Sequence, residues 1–444
     1  MAVDLTASYG GIKIKNPVFG SSSPVTQQPE ICEKASKAGA AALVLKTSFV
    51  ETPELRAVGH PQYRMADLTG LEPWRPIPPK KSDPVKRGKK GVMRPPYSSA
   101  FIMLSIPISS FWIGNDYIDH YNAVKKVVSD DCLIIPSIYA ATEKGWANQC
   151  RRVEKMKAKM VHINLACPIV AGWPGSEFPE VLKALKPYEP PAANTEVARE
   201  LTKFCVDHLD MPVVVKLHPF SFANVDTALA LQEVGAQGIE LADSHTGPMI
   251  RIDPETATPG WHPDYPGTGG GWGPWIIPHL CGQIFMMRKK GVNIDIAAVG
   301  GVMTARDIVR YIMAGASSVG SARTIMVEGW GIATDWLEEL EQWMEKNGYS
   351  SIEEMKGIII DKVITDPAKL EKSMPQIISG PRPVKQIVLT EKKCIGCGWC
   401  AAACMHCAIE MEDELPVYNQ DMCEVCGMCE AVCPVNALAI QPRK

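Results

Sequence analysis

Eight cysteines near the C-terminus stand at spacings that ligand chemistry, rather than packing, demands. Cys394, Cys397, Cys400 and Cys404 form C-x2-C-x2-C-x3-C, and Cys423, Cys426, Cys429 and Cys433 repeat the pattern 29 residues later, the second copy running into Pro434. This is the spacing that holds [4Fe-4S] cubes in pairs, each cube taking three thiolates from one run and its fourth from the other. The expected ligand sets are therefore Cys394, Cys397, Cys400 and Cys433 for one cluster and Cys423, Cys426, Cys429 and Cys404 for the other. Zinc sites and unrelated thiols are the alternatives, and two in-register copies of a four-thiol run weigh against both. Met405 and His406, not proline, follow Cys404, and Cys407 is an extra thiol, expected to be a packed bystander.

The rest of the composition agrees with redox chemistry under reducing conditions. Met1 to Gly20 shows no basic stretch followed by an apolar run, and no run of about 18 apolar residues could span a bilayer, so a cytoplasmic protein without a membrane span is expected. There thiols stay reduced, and the 15 cysteines point to metal or redox chemistry, not disulfides. From Glu391 onward four Lys or Arg face eight Asp or Glu, a net of -4, which leaves 42 basic against 41 acidic residues upstream. An acidic tail and no long basic stripe exclude a nucleic-acid partner. A hydrophobic content of 46% and 444 residues suit one large domain plus a smaller one.

The tail is thus a ferredoxin-like α+β module that carries single electrons, and the upstream domain must position whatever exchanges them. Short β-branched runs alternate there with amphipathic helical patterns such as "ICEKASKAGA" and "ARDIVRYIMAGA". Strands are expected at Pro17 to Ser21, Ala42 to Thr47, Leu133 to Ile138, Val161 to Ala166, Pro212 to Leu217, Gly238 to Asp243, Ile294 to Gly301 and Ser317 to Ala322. Eight βα units favour a closed (β/α)8 barrel, a TIM barrel, over an open sheet. The barrel is expected over 1–374, a linker over 375–388 and the ferredoxin-like domain over 389–444.

In such barrels chemistry gathers at the C-terminal strand ends. Ser21 and Ser22, Lys46 and Thr47, Asn164 and Cys167, Lys216, Asp243 and Ser244, Gly300 and Gly301, and Gly320 and Ser321 all fall there. The two lysines suit an anionic ligand, and the small residues after strands seven and eight suit a phosphate. Together with the tail they imply FMN, which links two-electron chemistry on a substrate to one-electron transfer through clusters. The insert from Lys80 to Arg94 carries seven Lys or Arg and reads as a solvated loop, with a dock for an acidic partner as the alternative. "PGTGGGWGPW" reads as a loop, and no dinucleotide fingerprint appears, so a separate NAD(P)H/FAD subunit or a ferredoxin is the expected electron donor or acceptor.

The fragments "NPVFGSSSP", "VLKTSF", "NLACP", "VVVKL", "GGV" and "AGASSVGSA" occur in an order that resembles the dihydroorotate dehydrogenase superfamily. A barrel followed by a two-cluster tail is similar, within it, to the dihydropyrimidine dehydrogenases and their bacterial catalytic subunit. The resemblance implies that Ser21 and Ser22 line the flavin, that Lys46, Thr47, Asn164 and Lys216 surround its ring, and that Gly300, Gly301, Gly320 and Ser321 hold its phosphate. It implies that Cys167 is the acid/base that exchanges a proton with substrate, a job suited to a thiol whose ordinary pKa is about 8.5. Asn164, Asp243, Ser244 and Thr142 fall at substrate-reading positions, and barrel-mediated homo- or hetero-oligomers are implied.

Four residues at or beside those positions depart from the pyrimidine-specific pattern. Ala166 replaces the serine of "NLSCP", Asp243-Ser244 replaces Asn-Thr, and Thr142 stands where another Asn is expected. An ionised Asp only accepts hydrogen bonds, so the ring edge presented there should be rich in donors. The expected activity is reduction or formation of a C=C bond conjugated to a carbonyl in a small cyclic substrate. Dihydropyrimidine dehydrogenation is one alternative, and an electron-transfer adaptor that houses FMN as a relay is the other.

Overall fold

A computed structural model describes residues 3–49, 62–67, 101–106, 112, 114–140, 142–166, 190–221, 223–242, 252–253, 255–259, 270–366, 369 and 385–442. The chain divides into two compact units, Met1–Ile360 and Asp361–Lys444. That division precedes the linker expected at 375–388, of which residues 375–384 lie outside the described residues, as does the insert from Lys80 to Arg94.

The first unit is a ring of eight parallel strands: β1 (Val18–Gly20), β2 (Ala42–Val44 and Ser48–Phe49), β3 (Leu133–Ile135 and Ser137–Tyr139), β4 (Val161–Asn164), β5 (Val213–Leu217), β6 (Gly238–Leu241), β7 (Asp295–Val299) and β8 (Ser318–Ser321). Pairing runs β1-β2-β3-β4-β5-β6-β7-β8 and returns from β8 to β1. The expected third strand is broken at Pro136, which has no N-H to give a ladder; its carbonyl still accepts from the His162 N-H at 3.0 Å.

Each strand leads into a helix: α1 (Pro29–Lys37), α2 (Asp116–Val127), α3 (Glu143–Met156), α4 (Thr195–His208), α5 (Asn224–Glu233), α6 (Ile276–Lys289), α7 (Ala305–Ala314) and α8 (Arg323–Glu328). In α7, Thr304 and Asp307 form a capping box, and Ile308, Val309 and Ile312 turn one apolar face onto the strands. A further helix, α9 (Gly331–Asn347), follows α8. Among the described residues no helix is long and apolar enough to cross a membrane.

Two features were not expected from sequence. The hairpin Ala7–Tyr9/Ile12–Ile14 precedes β1 and places Tyr9 in one buried cluster with Phe19, Val44, Ile135, Val214 and Val299 from the strands. Ser8 Oγ and the Gly11 N-H both donate to the Asp295 carboxylate at 2.8 Å, which ties the hairpin to the start of β7. The segment read as a glycine loop contains instead a strand, Gly270–Trp272, that pairs antiparallel with Phe101–Ile106, itself paired with Gln62–Asp67. Glycines weaken a strand but do not forbid one when a β-rich partner supplies the ladder.

The second unit pairs Lys385–Leu389 with Leu438–Pro442 and Ile409–Glu412 with Leu415–Tyr418. Its short helices Trp399–Ala402 and Met428–Ala431 each start after a left-handed glycine, Gly398 at φ 72° and Gly427 at φ 83°. The 29-residue repeat seen in the cysteines is therefore also a repeat of backbone shape.

Candidate active site

Strand register decides which polar side chains meet inside the ring. Lys216 on β5 stands opposite Asn164 of β4 on one side and Glu240 of β6 on the other. His162, two residues before Asn164 and so on the same face, pairs with Ser137 of β3. A chain of hydroxyls and ring nitrogens links these strands. Ser22 Oγ lies 3.1 Å from Thr47 Oγ1, Thr47 Oγ1 is 2.8 Å from Ser137 Oγ, and Ser137 Oγ is 2.8 Å from His162 Nδ1. Asn164 Nδ2 donates to Thr47 Oγ1 at 3.1 Å.

The charges are buried, and burial sets their states. Burial pushes the Glu240 carboxyl up, while Lys216 and hydrogen bonds from Tyr9 and Ser21 pull it down; the first effect prevails. Burial, reinforced by the Lys216 charge, holds the His162 imidazole well below its ordinary value, so it is neutral near pH 7. His162 Nε2 has no hydrogen-bond partner among the described residues and lies 3.7 Å from Glu240 Oε2.

Most of the expected cofactor-binding residues converge on this end of the barrel. Ser21, Thr47, Asn164, Lys216 and Ser321 are buried, and Ser22 and Lys46 half-buried. Tyr117 fixes the Lys46 turn, its hydroxyl donating to the Lys46 and Ser137 carbonyls, both at 3.2 Å. The Gly300 carbonyl accepts from Tyr311 Oη at 2.8 Å. Gly301 adopts φ 71°, and a Cβ there would come within 3.1 Å of the Gly273 carbonyl oxygen, so only glycine suits the turn. Gly320 faces inward, where a Cβ would lie 2.6 Å from the Phe19 ring.

Thr142, expected near the substrate, caps α3, its Oγ1 accepting from the Gly145 N-H at 3.0 Å. Cys167, Asp243 and Ser244 lie outside the described residues. Sequence reasoning missed Tyr9, Ser137, His162 and Glu240. A signal for the last two existed: "VHINLA" and "GIELAD" each put a titratable residue inside a strand that a parallel barrel covers on both faces.

In the second unit Cys394, Cys397, Cys400 and Cys433 line one pocket of about 340 Å³, its mouth included, otherwise walled mainly by Ile395, Trp399 and other apolar side chains. Among the described residues no three His, Cys, Asp or Glu side chains converge on a single-ion site. Backbone N-H groups point at the fourth cysteine of each run, Ala408 to Cys404 Sγ at 3.3 Å and Ala437 to Cys433 Sγ at 3.2 Å. Burial raises the Cys433 thiol, but N-H groups of Ala437, Val435, Leu438 and Asn436 outweigh it and favour thiolate. Cys407, expected to be packed, is exposed. At φ 49° it occupies the left-handed turn that Asn436, at φ 50°, fills in the second repeat.

Comparison with known proteins gives the same division. The dihydroorotate dehydrogenase family profile matches residues 113–344, more than half of the 444-residue chain. The chain belongs to the dihydroorotate dehydrogenase family. A 4Fe-4S dicluster domain profile matches residues 393–437. Among relatives, the dihydroorotate dehydrogenase B (NAD(+)) catalytic subunit of Methanothermobacter thermautotrophicus is 27% identical over 254 residues, 57% of this chain and 78% of the relative. The same subunit from Listeria innocua is 30% identical over 52% of this chain and 69% of its own length. That from Pyrococcus abyssi is 24% identical over 80% of this chain and 99% of its own. The protein is accordingly an FMN-type oxidoreductase of the dihydroorotate dehydrogenase kind, acting on CH-CH groups, with a 4Fe-4S ferredoxin domain.

The residues present fit both groups. Asn164 Oδ1 is a buried acceptor with no partner among the described residues, a vacancy that a ring N-H donor would fill, and it sits one strand from the buried Lys216. In the tail, four thiols around a mostly apolar pocket, with N-H donors aimed at sulfur, form a donor set suited to a cube.

Proposed function

We propose that this protein reduces, or in reverse forms, a C=C bond conjugated to a carbonyl in a small cyclic substrate, with electrons relayed through two [4Fe-4S] clusters. The observation that carries the reading is the placement, on adjacent strands in register, of the buried Lys216 and of Asn164 with its unsatisfied carbonyl oxygen, in a chain whose second unit also lines one pocket with four cysteines. Bound FMN would supply the exchange between two-electron chemistry on substrate and single-electron transfer with the clusters. The Lys216 ammonium would hold the electron-rich edge of the flavin ring, and its burial makes that attraction strong. Asn164 would accept from the ring, with Thr47 fixing its amide. Gly300, Gly301, Gly320 and Ser321 would hold the phosphate beside α8, which starts directly after β8 without a side-chain cap.

Cys167 is assigned the proton exchange with substrate, and Asp243 and Ser244 the reading of its ring, with Ala166 withdrawing the hydroxyl used by pyrimidine-specific members. A ring edge rich in donors follows, which ranks uracil and thymine below other unsaturated ring carbonyls. The cluster ligands are assigned as Cys394, Cys397, Cys400 and Cys433, and by the 29-residue repeat Cys423, Cys426, Cys429 and Cys404. The relatives are named as catalytic subunits of an NAD(+) enzyme, which supports a separate nicotinamide-binding partner here.

The test is anaerobic. Purified protein is assayed for FMN and iron, reduced, and mixed with uracil, thymine, orotate and other unsaturated ring carbonyls while flavin and cluster absorbance are followed. Rapid reoxidation by a non-pyrimidine supports the reading. Rapid reoxidation by uracil or thymine makes the protein a dihydropyrimidine dehydrogenase, and absence of flavin sinks the reading altogether.

A further inference from the structure

Glu240 plays no part in the reading above, yet it is fully buried inside the barrel. Each of its oxygens has one donor: Tyr9 Oη gives to Oε2 at 2.7 Å and Ser21 Oγ to Oε1 at 2.8 Å. The groups facing it come from every side. Lys216 is its register partner on β5, His162 approaches from β4, Tyr9 from the hairpin and Ser21 from the end of β1, while Ala297 on β7 adds no charge. Among the described residues facing Glu240, with His162 neutral, one ammonium and one carboxylate balance. An anion brought against Lys216 would leave this dry interior with an excess negative charge, which a low-dielectric site resists.

We propose that Glu240 compensates that charge: it is ionised against Lys216 while the bound ring is neutral and takes up one proton when two-electron reduction makes the ring anionic. This rests on the reading that the flavin lies against Lys216. The ring gains two electrons and one proton, Glu240 gains a second proton from solvent as one O-H bond, no other bond changes, and reoxidation reverses both. The hydroxyl chain Ser22-Thr47-Ser137 ends on His162 Nδ1, and the opposite ring nitrogen stands 3.7 Å from Glu240 Oε2, so a small movement of the ring would complete a proton route from the half-buried Ser22. Burial already tilts the carboxyl toward the protonated form.

The experiment measures the flavin midpoint potential of the holoenzyme against pH, in wild type and in Glu240→Gln. Near pH 7 the equilibrium constant for reduction should change a hundredfold per pH unit in wild type and tenfold in the variant, the latter about 30 mV per unit. Equal slopes overturn the proposal. Independently of any variant, wild-type protein carrying ¹³C-glutamate should gain, on reduction, an infrared band of a protonated carboxylic acid that shifts with the label. A flavin-bearing protein without that band overturns this inference alone, whereas a protein that holds no flavin overturns the proposed function and this inference with it.

Discussion

The barrel surrounds its polar site with a core of its own, in which Trp146, Trp336, Tyr311 and many aliphatic side chains are fully buried. Among the described residues the tail's buried hydrophobic cluster consists of Ile387, Cys400, Ile409, Cys429 and Leu438, and two of those five are expected ligands. A core that small offsets little of the entropy of ordering the chain, so metal-thiolate bonds are expected to supply most of the tail's order. One region keeps its shape and borrows a cofactor; the other borrows its shape from the cofactor.

Removing the metal should break this contrast most visibly. After iron chelation, amides of 385–442 should exchange within minutes while the barrel strands stay protected, because in small domains ordered by a metal the binding free energy is folding free energy, on the order of 10 kcal/mol for zinc in zinc-finger peptides. Unchanged protection in the tail would refute the comparison. Next in size, Lys216→Met should cut turnover roughly 100-fold, since a buried ammonium at the site of developing charge is lost, and should leave iron content untouched. Activity within twofold of wild type would remove Lys216 from the site.

Gly320→Ala should cost about 1–3 kcal/mol, because the added methyl meets the Phe19 ring, and calorimetry should place the loss in the barrel transition. A further effect, confined to acid pH, concerns a buried histidine. Burial lowers the His120 imidazole to about 4, so between pH 6.5 and 4 the unfolded chain binds its proton first and barrel stability falls as pH falls. His120→Phe should flatten that part of the stability profile; an equally steep profile would show that other groups dominate.

The two regions also differed in how far they could be read from sequence. Cluster chemistry needs ligands close together in the chain, so the tail's cysteines announced themselves, and the pocket shared by Cys394, Cys397, Cys400 and Cys433 brings together the four expected for one cube. The alternation of strands and helices revealed the barrel, and strand ends marked Lys216 and Asn164. The Glu240 site stayed hidden because Tyr9 and Glu240 are 231 residues apart and meet only when the ring closes over the hairpin. In strands covered on both faces, side-chain alternation does not separate inside from outside, so only the residue type of Glu240 and His162, not their place in the pattern, could have marked them. Thr142 illustrates the reverse: a residue read for chemistry is also the cap that starts α3.

The sharing of one pocket between Cys400 and Cys433 has a consequence for how the protein is made. Thirty-two residues lie between them in translation, so at 5–20 residues per second the first three thiols would wait about 2–7 s before the proposed fourth ligand exists. During that interval an incomplete site is open to the wrong metal or to oxidants. With the proposed ligand set neither cube can be completed before the second repeat is synthesised, which makes cluster completion a step later than synthesis of the barrel.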